Sequence, residues 1–163
     1  MFGSGRWSLV ACLALVACGQ SGNNAGDDAD EEILPPTADS QVFGDYVVNF
    51  NAVATIDLNP TIAEEYGIIR RPNGIMLNIN VRDTRAGGAG VAVPAEVKAS
   101  ATNLTGQFRN LNTRLETGAG ALYYIAETQV QNGETLIFTV EATPEGKTEP
   151  LTVRFRKQFF IND

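Results

Sequence analysis

The stretch Ile75-Met76-Leu77-Asn78-Ile79-Asn80-Val81-Arg82 decides the fold class. Ile75, Leu77, Ile79 and Val81 fall at every second position, with Met76, Asn78, Asn80 and Arg82 between them. Side chains alternate across a β-strand, so this spacing places an apolar row on one face and a polar row on the other. The same period returns at Tyr46, Val48 and Phe50, at Leu122, Tyr124 and Ala126, at Leu136, Phe138 and Val140, and at Leu151, Val153 and Phe155. Val91, Val93, Ala95, Val97, Ala99 and Ala101 make a longer row in which Pro94 implies an edge position or a bulge.

Turn signals separate the runs: Pro72-Asn73-Gly74, Gly87-Gly88, Asn103 to Gly106, Gly118-Ala119-Gly120, Asn132-Gly133 and Pro144-Glu145-Gly146. Gln131-Asn132-Gly133-Glu134 is the strongest hairpin signal, because Asn and Gly accept the positive φ angles of a type I′ turn. One short helix is expected near residues 60–66, capped by Asn59, opened by Pro60 and ended by Gly67. Residues 107–116 fit a helix through Phe108, Leu111 and Leu115 or a strand through Leu111, Thr113 and Leu115; the bounding Gly106 and Gly118 favour the strand. The expectation is an all-β chain of about seven strands in two packed antiparallel sheets. An immunoglobulin-like sandwich leads, with a small barrel as the alternative.

The composition, 44% apolar and 19% charged, suits one ordinary soluble domain. With no histidine and two cysteines, the chain lacks histidine acid/base catalysis, Ser-His-Asp triads and a disulfide framework. The net charge of -7 sits mostly in Asp27, Asp28, Asp30, Glu31, Glu32 and Asp39. Setting aside those six acids and Arg6 leaves 13 acids against 11 bases over residues 41–163, about -2. That balance offers no basic stripe for nucleic acid.

Met1 to Arg6 and the apolar run Trp7 to Ala17 read as a signal peptide, shorter than the roughly 20 residues of a membrane span. Leu15-Val16-Ala17-Cys18 resembles the lipobox of bacterial lipoproteins, which implies cleavage between Ala17 and Cys18 and acylation of Cys18. Leu9-Val10-Ala11-Cys12 reads similarly but leaves too short an apolar run before it. Gly19 after the cysteine implies the outer membrane rather than the inner. Residues 18–40 read as an acidic disordered tether with a span of about 25 Å. The single β domain is then residues 41–163, with no thiol.

Phe43-Gly44-Asp45-Tyr46, Pro60 to Gly67, Asn103-Leu104-Thr105-Gly106-Gln107 and Tyr123-Tyr124-Ile125, in this order and spacing, resemble a family of small exported proteobacterial proteins, domain-of-unknown-function family 4426. The resemblance spans about residues 41–163. It implies an exported single domain and no reaction. Family members carry a plain signal peptide, so the lipobox and acidic spacer are departures.

No constellation points to catalysis. Glu64 and Glu65 are helix neighbours about 100° apart and do not converge. Arg85 to Gly90 lacks the Lys-Ser/Thr ending of a phosphate loop and reads as a flexible hairpin. The acidic run lacks the ligand spacing of an EF-hand, and neither a metal site nor a cofactor is expected. Tyr123 and Tyr124 point to opposite faces of one strand, so one packs the core and the other is offered to a ligand such as a sugar. Asn78, Asn80 and Arg82, with Arg154 and Arg156, form polar rows that would rim a protein partner, or serve simply as a wet face. The leading expectation is a non-catalytic envelope lipoprotein, held to a membrane by its acyl chains and facing the periplasm, that binds another envelope protein. The alternative is a small-ligand or glycan binder, or a carboxylate-based hydrolase.

Overall fold

The computed structural model describes residues 32–118 and 120–161. Ala17, Cys18, the expected signal peptide and residues 18–31 of the expected tether lie outside the described residues. Among those described, eleven strands run in chain order: β1 (Ile33–Leu34), β2 (Ser40–Phe43), β3 (Tyr46–Ala54), β4 (Gly74–Asp83), β5 (Val91–Ala92), β6 (Ala95–Asn103), β7 (Phe108–Leu111), β8 (Arg114–Gly118), β9 (Ala121–Gln129), β10 (Thr135–Pro144) and β11 (Leu151–Gln158). A 3-10 turn (Thr55–Asp57) and helix α1 (Pro60–Glu65) lie between β3 and β4.

Two sheets form, β1-β11-β10-β6-β7 and β2-β3-β4-β9-β8, with β5 attached to β4. All pairings are antiparallel except β1 on β11, which is parallel. The orders β3-β4-β9-β8 and β7-β6-β10-β11 reproduce the ABED and C′CFG sheets of an immunoglobulin-like sandwich. The expected architecture is therefore the observed one, without a closed barrel. Its strand count is eleven rather than about seven, because β1 and β2 are short additions and two runs each divide.

The alternating rows supply the core. Val48, Phe50 and Ala52 of β3 and Ile75, Leu77, Ile79 and Val81 of β4 meet Leu136, Phe138 and Val140 of β10 and Val153 and Phe155 of β11. At its centre Phe155 stacks between Phe50 (4.5 Å) and Phe138 (5.0 Å), and Phe159 meets Phe138 edge-on at 6.2 Å. Helix α1 forms as expected: Asn59 Oδ1 accepts the Thr61 N–H at 2.9 Å, Pro60 occupies the first turn, and Gly67 takes a φ of 62° after the last residues.

Four expectations are corrected. The 91–101 row is two strands, since the chain leaves one sheet after Ala92 and enters the other at Ala95, with Val93-Pro94 as the crossing. Residues 107–116 likewise divide at Asn112-Thr113 between β7 and β8, in opposite sheets. Gln131 to Glu134 is a turn with Gly133 at φ 74°, but it joins β9 to β10 in different sheets and is no hairpin. Its amides instead serve the C-terminal segment: Gly133 N–H donates to Phe159 O at 2.9 Å, and Phe159 N–H donates to Glu134 O at 2.9 Å. The body also starts before residue 41, because Ile33 and Leu34, expected within the tether, pair with Arg154 and Phe155, and Ser40 opens β2.

Candidate functional site

The outward faces of β3 and β4 carry the polar half of the alternation. Register sets Asn49 against Asn80 and Asn51 against Asn78, so four asparagines tile adjacent strands, with Arg82 further along β4. Tyr123 lies on the neighbouring β9 and faces outward too, because Tyr124 turns into the core.

Three walls rise around this floor. One is Tyr123, packed with Tyr66 at the margin of a cluster in which Ala63 and Ile68, from the segment after β3, are buried with Met76 of β4 and Ile125 of β9. Arg114 fastens this wall, donating to Tyr66 O at 2.8 Å while pairing with Glu116 and Glu127 at 3.0 and 2.9 Å. The second is the loop between β4 and β5, held by Arg82, whose Nε donates to Ala89 O and Nη2 to Gly90 O, both at 2.6 Å. Gly90 has φ 73°, and a Cβ there would press on Asp83 O, so the clasp requires glycine. Asp83 also pairs with Arg85, whose hydrogen bonds hold the Asp83 carboxyl below its usual pKa. Asp39 and Ser40 at the start of β2 make the third wall.

The result is a cleft of about 580 Å³ lined by Asp39, Ser40, Asn49, Phe50, Asn51, Asn78, Asn80, Arg82, Ala89 and Tyr123. Asn80, 7% exposed, donates to Leu122 O at 2.8 Å and accepts from Asn49 Nδ2 at 3.4 Å. Asn51 Oδ1 accepts from Lys157 Nζ at 3.4 Å, and burial lowers the pKa of that lysine. Among the described residues, Asn78 Oδ1 is buried without a hydrogen-bond donor. Asp39 Oδ1 accepts from Ser40 Oγ at 3.1 Å.

The expected residues thus divide. Asn78, Asn80 and Arg82 come together with Tyr123, uniting the expected interaction row with one of the expected ligand contacts. Tyr124 is removed from the site: it is 6% exposed, and its hydroxyl accepts the Ala95 N–H at 2.7 Å. Arg154 and Arg156 lie on the outer face of the other sheet, since Val153 and Phe155, which alternate with them, point into the core; they do not share a surface with Asn78. Asn49 and Asn51 were missed although their spacing of two carries the same signal as Asn78 and Asn80. Asp39 and Ser40 were missed because they sit in a segment whose composition reads as tether.

The model of the family described as Domain of unknown function (DUF4426) matches residues 40–162. The chain belongs to this family. A crystal structure of a DUF4426 family protein from Pseudomonas aeruginosa PAO1 is 29% identical, with a TM-score of 0.65 over 76% of this chain and 95% of that one. FetP of uropathogenic Escherichia coli strain F11, recombinantly expressed in the periplasm, shares the fold at 12% identity and a TM-score of 0.56 over 76% of this chain and 94% of its own. A copper-bound variant of FetP aligns at 10% identity and the same TM-score, covering 78% and 93%. No match is found among curated proteins.

Proposed function

We propose that this DUF4426 protein is a non-catalytic binding module of the bacterial cell envelope that takes its ligand in the asparagine-floored cleft. The observation that carries this reading is the convergence of Asn49, Asn51, Asn78, Asn80, Arg82 and Tyr123 from three strands on one concavity. Its volume lies within the ~300–1,000 Å³ typical of ligand sites. A purely wet face would have no need of walls or of a clasped loop.

A binding role fits the side chains better than a reaction. The cleft's one hydroxyl–carboxylate pair, Ser40 and Asp39, consists of exposed chain neighbours with no third group orienting them. Glu64 and Glu65 are exposed on α1. The copper of the FetP variant is not carried over, because the residues do not fit it. The chain has no histidine, Met76 is packed in an apolar cluster, and no group of three His, Cys, Asp or Glu gathers among the described residues.

The envelope address rests on the lipobox around Cys18, and periplasmic expression of FetP accords with it. Under this reading Cys18 is acylated and the domain faces the periplasm from the outer membrane. A palmitate analogue should label the wild type and not Cys18→Ala; equal labelling would refute the anchor. The binding site is tested by placing a photo-crosslinking residue at Tyr123 or at Arg156 of the full chain in its own cells. Adducts should form from position 123 and disappear when Asn78→Leu fills the floor. Adducts from position 156 alone, or from neither, would overturn the cleft as the binding site.

A further inference from the structure

We infer that the ligand of the cleft is a short neutral saccharide, an inference that rests on the cleft being the binding site. Charge comes first. Among the described residues the lining contains one cation, Arg82, and one anion, Asp39, and two donors of Arg82 are committed to Ala89 O and Gly90 O. Arg82 and Asp39 offset each other, so the lining gives neither an anionic nor a cationic ligand a net field, and the nearby Lys157 is engaged by Asn51 Oδ1. A neutral ligand needs no such field.

Hydrogen-bonding capacity comes second. Asn78 Oδ1 is buried and lacks a donor, and Asn49 Oδ1 and the second Asp39 oxygen remain as acceptors once Asn49 Nδ2 and Asp39 Oδ1 are used. The remaining guanidinium hydrogens of Arg82 are donors. A ligand that complements both must donate and accept at several closely spaced points, and adjacent hydroxyls do this. An acceptor left without a donor costs free energy, so a turn of the Asn78 amide that brings this oxygen to a ligand hydroxyl is favoured. The half-buried Tyr123 ring provides an apolar wall against which the C–H face of a pyranose can pack.

The test is nitrogen-15 NMR of the full chain, following the Asn side-chain amides, with maltose and diacetylchitobiose as saccharide probes and acetylated triglycine amide as a peptide probe. A saccharide at millimolar concentration should shift the amides of Asn49, Asn78 and Asn80 in a saturable way. Asn78→Leu and Tyr123→Ala should each weaken binding about tenfold, as expected for losing one good contact. Arg156→Ala should leave it unchanged. Should Asn78→Leu disturb the fold, Asn49→Ala serves in its place, with the backbone amide spectrum as the check on folding. If neither saccharide moves these amides, or if the shifts survive both substitutions, the inference is overturned. Shifts from the peptide alone would overturn the saccharide class and leave the cleft as a binding site, a result that the crosslinking experiment decides separately.

Discussion

Replacing Tyr124 with Phe keeps the ring in the core and removes only the hydroxyl that accepts the Ala95 N–H. That N–H loses its partner, so Tyr124→Phe should cost about 1 kcal/mol in urea unfolding. Tyr123→Phe, whose hydroxyl has no hydrogen-bond partner among the described residues, should leave stability unchanged. Equal effects from the two would contradict the division of roles. Gly74 makes a second residue-scale test. A Cβ there would overlap Thr55 Oγ1, which is buried and cannot yield, because it accepts the Arg71 N–H at 3.0 Å and donates to Arg71 O at 3.2 Å. Gly74→Ala should therefore destabilise by about 1–3 kcal/mol through overpacking. A thermal midpoint equal to that of wild type would show that the wall over β4 is softer than described.

At the scale of elements, the turn between β9 and β10 is held by Glu134. Its carboxylate accepts from Arg109 Nη2 at 2.7 Å, Asn103 Nδ2 at 3.0 Å and the Gln131 N–H at 2.8 Å, while Arg109 also donates to Gln129 O of the opposite sheet at 2.7 Å. Burial raises the Glu134 pKa, but the bonds from Asn103 and Gln131 and the charge of Arg109 outweigh it and hold the group below its ordinary value. With the folded value depressed, the contribution to stability is complete above the unfolded pKa of about 4.3 and is lost as pH falls through the folded value. Wild type and Glu134→Gln should differ in unfolding free energy at about pH 6 and converge on acidification. A constant difference would sink this assignment. The same turn marks how far the sequence could be read. Period two revealed β3, β4, β6, β9, β10 and β11, and Asn59-Pro60 with Gly67 revealed α1. Alternation does not say which sheet a strand joins, however. The crossings at Val93-Pro94 and Asn112-Thr113 break no hydrophobic row, and Asn132-Gly133 declares a turn without saying that the strands it joins lie in different sheets. The cleft was half legible for the same reason: Asn78, Asn80 and Arg82 declared a polar face, but the pairing that sets Asn49 and Asn51 beside them is a matter of register.

For the whole molecule, the short β1 governs what the sandwich shows its neighbours. β11 would otherwise be an edge strand of eight residues, and β1 covers it only at Arg154 and Phe155. A chain beginning after Leu34 should keep the eight framework strands but bare this edge, and should self-associate with rising concentration in analytical ultracentrifugation. A strictly monomeric truncation would mean that the remaining edge is protected by its own charges. The parallel pairing of β1 with β11 also has a temporal side. Ile33 joins Arg154, 121 positions later, whereas the pairs of β6 with β7 and β10 are available before β11 exists. Sandwiches ruled by such distant pairings fold in roughly milliseconds to seconds. A polypeptide threaded through a translocation pore with its N-terminus leading can fasten this border only after Leu151–Gln158 has emerged. Ile33 and Leu34 therefore act as a latch that closes only once β11 is in place, so an arrested copy without that strand leaves β1 and one border of β10 unpaired.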